Sequence, residues 1–140
     1  MENEKKIKVV LLEPGKLART AEIDASLAGM QKTMGGLIEP FYPFEEQVCI
    51  VCNEESKING MRPNRSVKND DGVMVDFIFG PAFICDCRGE NLDSLSDEQI
   101  DRYGKMFRYP EHLARVNDTL LGIPYRPQPE QERKKNVELE

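Results

Sequence analysis

The chain of 140 residues lacks several groups on which enzymes depend. It contains no tryptophan and a single histidine, His112. Metal sites built from two or three imidazoles are therefore excluded, and a hydrolase mechanism that pairs histidine with a serine or cysteine would have to use this one side chain. His112 stands at the start of a predicted short helix, a setting that favours a surface histidine. We predict that the protein is not an enzyme and that it has no catalytic residues.

The sequence also lacks a long apolar run and an excess of positive charge. No stretch approaches the roughly 20 apolar residues that a helix needs to cross a bilayer, and the polar start at residues 1–6 predicts no secretory signal. Acidic residues outnumber basic ones by 25 to 19, whereas contact with phosphates requires a basic surface. We therefore expect a cytoplasmic protein that neither enters a membrane nor binds nucleic acid directly.

Four cysteines are the remaining candidates for metal or redox chemistry, namely Cys49, Cys52, Cys85 and Cys87. Four thiolates could close a tetrahedral zinc site. However, Cys49 and Cys52 lie in an apolar strand pattern, and residues three apart on a strand point to opposite faces. We predict ordinary reduced thiols, no bound metal and no cofactor, with structural zinc and a redox dithiol as weaker alternatives. Whether the four sulfurs converge is left open.

Apolar periodicity and turn residues predict an α+β domain at residues 1–119, built on an antiparallel or mixed sheet with two main helices packed on it. Pro40 and Pro43 favour an edge position for their strand, while two apolar faces predict that the 73–79 strand is central. The predicted elements are strands at 7–12 and 17–23, a helix with Asp24 as N-cap that ends at Gly35-Gly36, strands at 37–42, 48–52, 73–79 and 82–87, a helix after Ser96, and a short helix from Pro110 that uses Leu113 and Val116.

The helix after Ser96 has the clearest local signature. Ser96 and Gln99 form a predicted capping box, and Ile100, Tyr103 and Phe107 form its buried stripe. Beyond it, the proline-rich and then charged residues 120–140 predict a flexible C-terminal tail.

We predict a binding surface at the polar connector that follows the 48–52 strand. Loops carried on a rigid sheet often hold functional residues. An amide-rich loop beside aromatic residues also suits a polar ligand or the backbone of a partner protein. The alternative that this loop only connects two strands is left open. Asp76 lies on an otherwise apolar strand face, and we predict Arg65 as its partner if it is partly buried. The predicted contact residues are Tyr42, Phe44, Asn53, Glu55, Asn59, Asn64 and Arg65.

Negative charge is concentrated in the second half of the chain. The predicted acidic patch consists of Glu90, Asp93, Asp97 and Asp101. We interpret this charge first as a solvated face combined with a helix N-terminus, because a helix dipole favours anions in its first turn, and a contact patch is the alternative.

An ordered set of short segments adds a resemblance to these inferences. The segments are Val9 to Lys16, Glu22-Ile23-Asp24 with Leu27, Gln31-Lys32 with Gly35-Gly36, Tyr42-Pro43-Phe44, Cys52 to Glu55, Asn59-Gly60, Asn64-Arg65, Asp71-Gly72, Asp76 with Gly80, and Ser94 to Gln99. Over about residues 6–108 the chain resembles an uncharacterised domain family of unknown function from Gram-positive bacteria, their phages and mobile elements, often met near antirestriction genes. Ser56 departs from the glycine that the family tends to have after the double acid. The resemblance implies a genetic setting and no mechanism.

We therefore predict a non-enzymatic cytoplasmic accessory protein that acts by binding, with a protein partner or a small polar ligand. One alternative is an acidic antirestriction inhibitor that mimics DNA, which the acidic patch and the implied gene neighbourhood favour. The other is a protein that sequesters a nucleotide-like molecule through Arg65, Tyr42 and the loop amides. The oligomeric state is not predicted.

Overall fold

The computed structural model describes residues 5–128, in which nine strands and two helices form antiparallel sheets with helices packed on them. The predicted α+β class is thus confirmed. In chain order the elements are β1 (Lys6–Leu12), β2 (Arg19–Asp24), α1 (Leu27–Met34), β3 (Ile38–Phe41), β4 (Val48–Asn53), β5 (Pro63–Lys68), β6 (Met74–Phe79), β7 (Ala82–Asp86), α2 (Asp97–Met106), β8 (Glu111–Val116) and β9 (Thr119–Pro124). None of the helices in the described range is long and apolar enough to cross a membrane.

The central element is a five-stranded antiparallel sheet with the order β2-β1-β7-β4-β3. The three inner strands are almost entirely buried, because apolar side chains on both faces allow a sheet to be covered from both sides. β3, which contains Pro40, lies at the edge, as predicted.

Each face of the sheet is covered by a different layer. On one face, Met30 and Met34 of α1 pack against Phe83 and its neighbours. On the other face, Tyr103 of α2 and Ile78 of β6 pack with further residues of their elements over the centre of the sheet. The two main helices therefore lie on opposite faces.

The helix ends follow local capping chemistry. Ser96 and Gln99 form the predicted capping box at the start of α2, and Gly35, with φ of 81°, ends α1 as predicted. The predicted N-cap of α1 is wrong, since Ser26 caps that helix and receives the Gly29 N–H. Asp24 instead ends β2 and accepts the Ser26 N–H.

The 73–79 segment is not a central strand. It forms β6, which pairs only with β5 within the described chain, and β5 was not predicted because Pro63, Arg65 and Lys68 hide its strand pattern. Ile78 faces the core whereas Val75 is half exposed. An apolar residue on β6 is therefore not always buried, and Val75 remains partly open to solvent.

The short helix predicted from Pro110 is also wrong, because this segment forms the hairpin β8–β9. Asn117 and Asp118 both have positive φ, which is the geometry of a tight hairpin turn that twists with its strands. Residues 120–124 of the predicted flexible tail lie in β9. Residues 129–140 of that tail lie outside the described part of the chain.

Candidate functional site

The structure separates the predicted contact residues into two groups. Tyr42, Glu55 and Asn59 are exposed, whereas Phe44, Asn53, Asn64 and Arg65 are buried. Phe44 packs on the rings of Tyr103 of α2 and of Phe107, the residue that caps this helix. The predicted residues therefore do not form one exposed surface.

The two buried asparagines hold backbone in place. Asn53 donates to the Met34 carbonyl at 3.1 Å and accepts the Glu55 N–H at 2.7 Å. Asn64 donates to the carbonyls of Leu12 and Gly80 at 3.1 and 2.7 Å. Since buried polar groups need such partners, both side chains serve the fold and are not available to a ligand.

Arg65 is fully buried, and backbone carbonyls rather than a carboxylate satisfy it. Burial lowers the pKa of its guanidinium to about 10, so it still carries its charge at neutral pH. The predicted pairing with Asp76 is wrong. The guanidinium donates to the carbonyl oxygens of Phe107 at 2.7 Å, Lys16 at 2.6 Å, Glu13 at 3.2 Å and Arg108 at 3.3 Å, and to Asn64 Oδ1.

Asp76 lies on β6 and has two other partners. Its Oδ1 accepts from Lys57 Nζ at 3.0 Å and from the Phe77 N–H at 2.7 Å. Phe77 is paired with Ser66, whose N–H turns away from β6 to the Glu111 carboxylate. Ser66 and Phe77 therefore form a non-hydrogen-bonded antiparallel pair, in which the Phe77 N–H points away from β5 towards the free edge of β6. Because Asp76 accepts this N–H, its side chain covers part of that edge.

This free edge borders a cleft, which we call the β3–β6 cleft. It has two adjoining compartments of about 240 and 420 Å³. Residues 75–79 all contribute to its lining, so the edge of β6, and not only one of its faces, forms one wall. The side chains that define the cleft are Glu39, Phe41, Tyr42, Cys52, Lys57, Ile58, Val75, Asp76 and Phe79.

Apolar side chains dominate the rim of the β3–β6 cleft. Tyr42 is 63% exposed, Ile58 84% and Val75 50%. Exposed apolar groups arranged around a concavity are typical of interaction sites. Two weak signals in the sequence point to this site, namely a single isoleucine within the polar connector and Phe41 two residues after Glu39, on the same face of β3.

The polar groups of the β3–β6 cleft are mainly acidic. Glu39 and Asp76 contribute carboxylates, and Lys57 is the basic residue among the lining side chains of the described chain. The Cys52 thiol lies 3.6 Å from the Glu39 carbonyl oxygen, and burial raises its pKa to about 11. It is therefore neutral at pH 7 and a poor nucleophile.

A family model covers most of this fold, since it matches residues 7–108, from β1 to just beyond α2. The chain belongs to the DUF3846 family, which is described as a domain of unknown function. This confirms the predicted membership of a family of unknown function, over nearly the predicted range. No curated protein and no solved structure matches the chain.

The β3–β6 cleft lies entirely within the matched DUF3846 region, whereas the β8–β9 hairpin lies outside it. His112 belongs to this hairpin and stacks on the Tyr125 ring at 4.0 Å. It is exposed, as predicted, and does not line the cleft.

Glu46, which sequence reasoning missed, ties the loop beside the cleft of the DUF3846 domain to α2. Its carboxylate accepts from the Tyr103 hydroxyl at 2.6 Å and from Gln99 and Arg102 at 2.8 Å. These hydrogen bonds lower the pKa of the Glu46 carboxyl to about 2, and the bond from Arg102 has the largest effect. They anchor the loop that carries Tyr42 to α2, and no local sequence pattern signals this contact.

The predicted acidic patch is partly neutralised by lysines. Asp93 lies 3.4 Å from Lys5, Asp97 lies 3.9 Å from Lys8, and Asp101 lies 3.1 Å from Lys105, whereas Glu90 is exposed. The Ser94 backbone N–H and then Lys5 lower the pKa of Asp93. The patch is therefore a mixed-charge surface.

The four thiols occupy two sides of the central sheet. Cys49, Cys85 and Cys87 lie in the core beneath α1, whereas Cys52 packs on the opposite core. The predicted opposite orientation of Cys49 and Cys52 is thus confirmed. Within residues 5–128, no group of three histidine, cysteine or acidic side chains is placed to hold a metal ion.

Proposed function

We propose that the protein is a non-enzymatic accessory protein that binds a polypeptide segment of a protein partner in the β3–β6 cleft. The observation that carries the proposal is the combination of exposed Tyr42, Ile58 and Val75 around one concave, partly aromatic site. Tyrosine is enriched at the energetic centres of protein interfaces, because its ring buries a large area with few rotatable bonds.

The charge of the cleft indicates the chemistry of the segment. Lys57 already engages Asp76, while no ion pair of the described residues involves Glu39. A partner that places a lysine or arginine near Glu39 gains a complementary charge, which favours correct encounter and orientation. We therefore propose a segment with an aromatic or aliphatic side chain close to a basic one.

The mode of binding follows from the protected strand edge. Because Asp76 occupies the Phe77 N–H, β6 does not offer a fully open ladder to an added strand. The partner's side chains would fill the cleft between Phe41 and Phe79, as in grooves that read a few anchor residues. Main-chain pairing would require Asp76 to move.

A small ligand is the second candidate, since compartments of about 240 and 420 Å³ approach the volume of small-molecule sites. A nucleotide-like ligand has less support, because Arg65 is fully engaged and Glu39 and Asp76 repel phosphate. The DNA-mimic alternative also has less support, because three of the four patch carboxylates lie beside lysines. We further propose that the protein acts in the cytoplasm and that it comes from Gram-positive bacteria, their phages or mobile elements.

The proposal is tested by panning a displayed library of random peptides on the immobilised full chain. We expect enriched peptides to combine an aromatic or aliphatic residue with a nearby basic one. The best peptide is then titrated by fluorescence polarisation against the wild type and against Tyr42→Ala and Glu39→Gln. Each variant should weaken binding by about tenfold, which corresponds to ~1.4 kcal/mol.

Val116→Ser is the matched control, because it removes an exposed apolar group from the hairpin outside the cleft. It should bind like the wild type. If no peptide is enriched, or if Tyr42→Ala and Val116→Ser bind equally well, the cleft is not a peptide site.

A further inference from the structure

We propose that Cys87, Cys49 and Cys85 form a thiol relay that exchanges with a low-molecular-weight disulfide and ends in a disulfide between β4 and β7. This site is separate from the β3–β6 cleft, on the opposite face of the central sheet.

The geometry of Cys49 and Cys85 carries the end point. The two residues are directly opposite each other in the β4–β7 register, and their sulfurs lie 3.7 Å apart. Directly paired residues of antiparallel strands have Cα atoms about 4.5–5.5 Å apart, within the range that a disulfide spans. Rotation of the two side chains can therefore close the bond without a change of strand register.

Burial explains why a third thiol is needed. Cys49 and Cys85 are both fully buried, so a small disulfide cannot reach them directly. Cys87 follows the end of β7, is half buried, and lies in the same core. Its side chain packs against the cluster that contains Cys49 and Cys85, and its backbone N–H donates to the Gln47 carbonyl at 3.1 Å, which keeps it beside β4 two residues beyond Cys85. It is thus placed to connect solvent with the buried pair.

The relay consists of three balanced exchange steps. The Cys87 thiolate attacks one sulfur of the small disulfide, so that a mixed disulfide forms and one small thiolate leaves. The Cys49 thiolate attacks Cys87 Sγ, which releases the second small thiolate and forms a Cys49–Cys87 disulfide. Cys85 then attacks Cys49 Sγ and its proton passes to the released Cys87. Two protein thiols are oxidised, and the small disulfide is reduced to two thiols.

The acidity of Cys49 favours the second step, whereas the acidity of Cys87 slows the first. The hydrogen bond from Cys85 lowers the pKa of Cys49 and raises that of Cys85, so Cys49 is the better internal nucleophile. Burial raises the pKa of Cys87 to about 11. Entry through Cys87 is therefore slow at neutral pH.

The test incubates the folded full chain with glutathione disulfide, blocks free thiols by alkylation at intervals, and locates linked cysteines by digestion and fragmentation mass spectrometry. We expect a Cys49–Cys85 link that forms at least tenfold more slowly in Cys87→Ser. Cys52→Ser is the matched control, because this thiol lies on β4 but faces the other core, and its rate should equal that of the wild type.

Both variants replace half-buried rather than fully buried residues, so neither removes a side chain from the centre of the core. A wild type that gains no Cys49–Cys85 link would overturn the proposal. So would a link that forms equally fast in Cys87→Ser, or a dominant product that contains Cys52.

Discussion

At the residue scale, the Arg65 guanidinium connects three parts of the fold. It binds carbonyl oxygens of the turn after β1 and of the end of α2, together with the Asn64 side chain beside it on β5. The carbonyl of Phe107 belongs to the residue that caps α2, where the helix dipole favours a cation. A charge buried in this way is held by geometry that only a planar, five-donor group can satisfy.

Arg65→Met should lower the free energy of unfolding by about 3 kcal/mol or more, because several buried carbonyls lose their donors at once. Arg65→Lys should recover only part of the loss, since one ammonium cannot reach all the acceptors. Urea denaturation followed by circular dichroism measures both changes. Lys68→Met, at an exposed position on the same strand, is the control, and an equal loss in it would contradict this role of Arg65.

Glu46 leads to a prediction about pH. Its pKa in the folded protein is about 2, below the ordinary value of 4.5. A lowered pKa stabilises the folded state above the ordinary value, and this stabilisation is lost as the pH falls towards 2. The urea midpoint of the wild type should therefore exceed that of Glu46→Gln at pH 7, and the difference should shrink at pH 3.

The exposed neighbour Glu45 provides the control for this measurement. Glu45→Gln should change the midpoint little at either pH. A difference between the wild type and Glu46→Gln that is the same at pH 7 and pH 3 would show that the Glu46 charge does not hold the loop on α2.

At the scale of elements, Glu111 ties the β8–β9 hairpin to β5. Glu111 accepts from the Ser66 N–H and hydroxyl at 2.9 and 2.6 Å. Gly122 leaves the space that this contact needs, because a Cβ there would overlap Glu111 Oε1 and lie 2.9 Å from Ser66 Oγ. An isolated two-stranded hairpin is only marginally stable.

Gly122→Ala should therefore release the hairpin without unfolding the domain. We expect amide hydrogen exchange in residues 111–124 to become about tenfold faster, while exchange in β1 and β4 stays unchanged. Gly89→Ala is the control, since a Cβ there meets no atom within 4 Å. Unchanged exchange in the hairpin of Gly122→Ala would contradict the proposed role of the Glu111 contact.

The sequence predicts elements well where local chemistry decides them. The alternation or apolar runs of β1, β4 and β7, the capping box of α2 and the glycine stop of α1 are read directly from neighbouring residues. β5 was missed because its polar residues make tertiary contacts, Arg65 above all. The hairpin was missed because Leu113 and Val116 also fit helical spacing, although Asn117-Asp118 followed by another apolar run is a turn signal.

At the scale of the whole molecule, the candidate site could be predicted only in part. Tyr42 was predicted, because an aromatic residue beside a polar loop is a local feature. The burial of Asn53 and Asn64 could not be predicted, since it depends on carbonyls of Met34 and Leu12 that are distant in sequence. The rest of the cleft arises where the edge strand β3 meets β6, a strand that the sequence placed inside the sheet.

The molecule has two distinct surfaces, the β3–β6 cleft and the β8–β9 hairpin. The DUF3846 region carries the β3–β6 cleft, and the β8–β9 hairpin is attached beyond the matched residues. If binding belongs to the family domain, the ligand should contact the cleft and leave the hairpin unaffected. A comparison of ligand contacts at the cleft and at the hairpin locates the site in the wild-type protein, and no variant is needed.

The most direct test is a two-dimensional amide NMR titration of the isotope-labelled full chain with the selected peptide. We predict that shift changes concentrate at Phe41, Tyr42, the 54–60 turn and residues 75–79, while the amides of β8 and β9 keep their positions. Shift changes confined to the hairpin or to the acidic patch at Asp93, Asp97 and Asp101 would contradict the account.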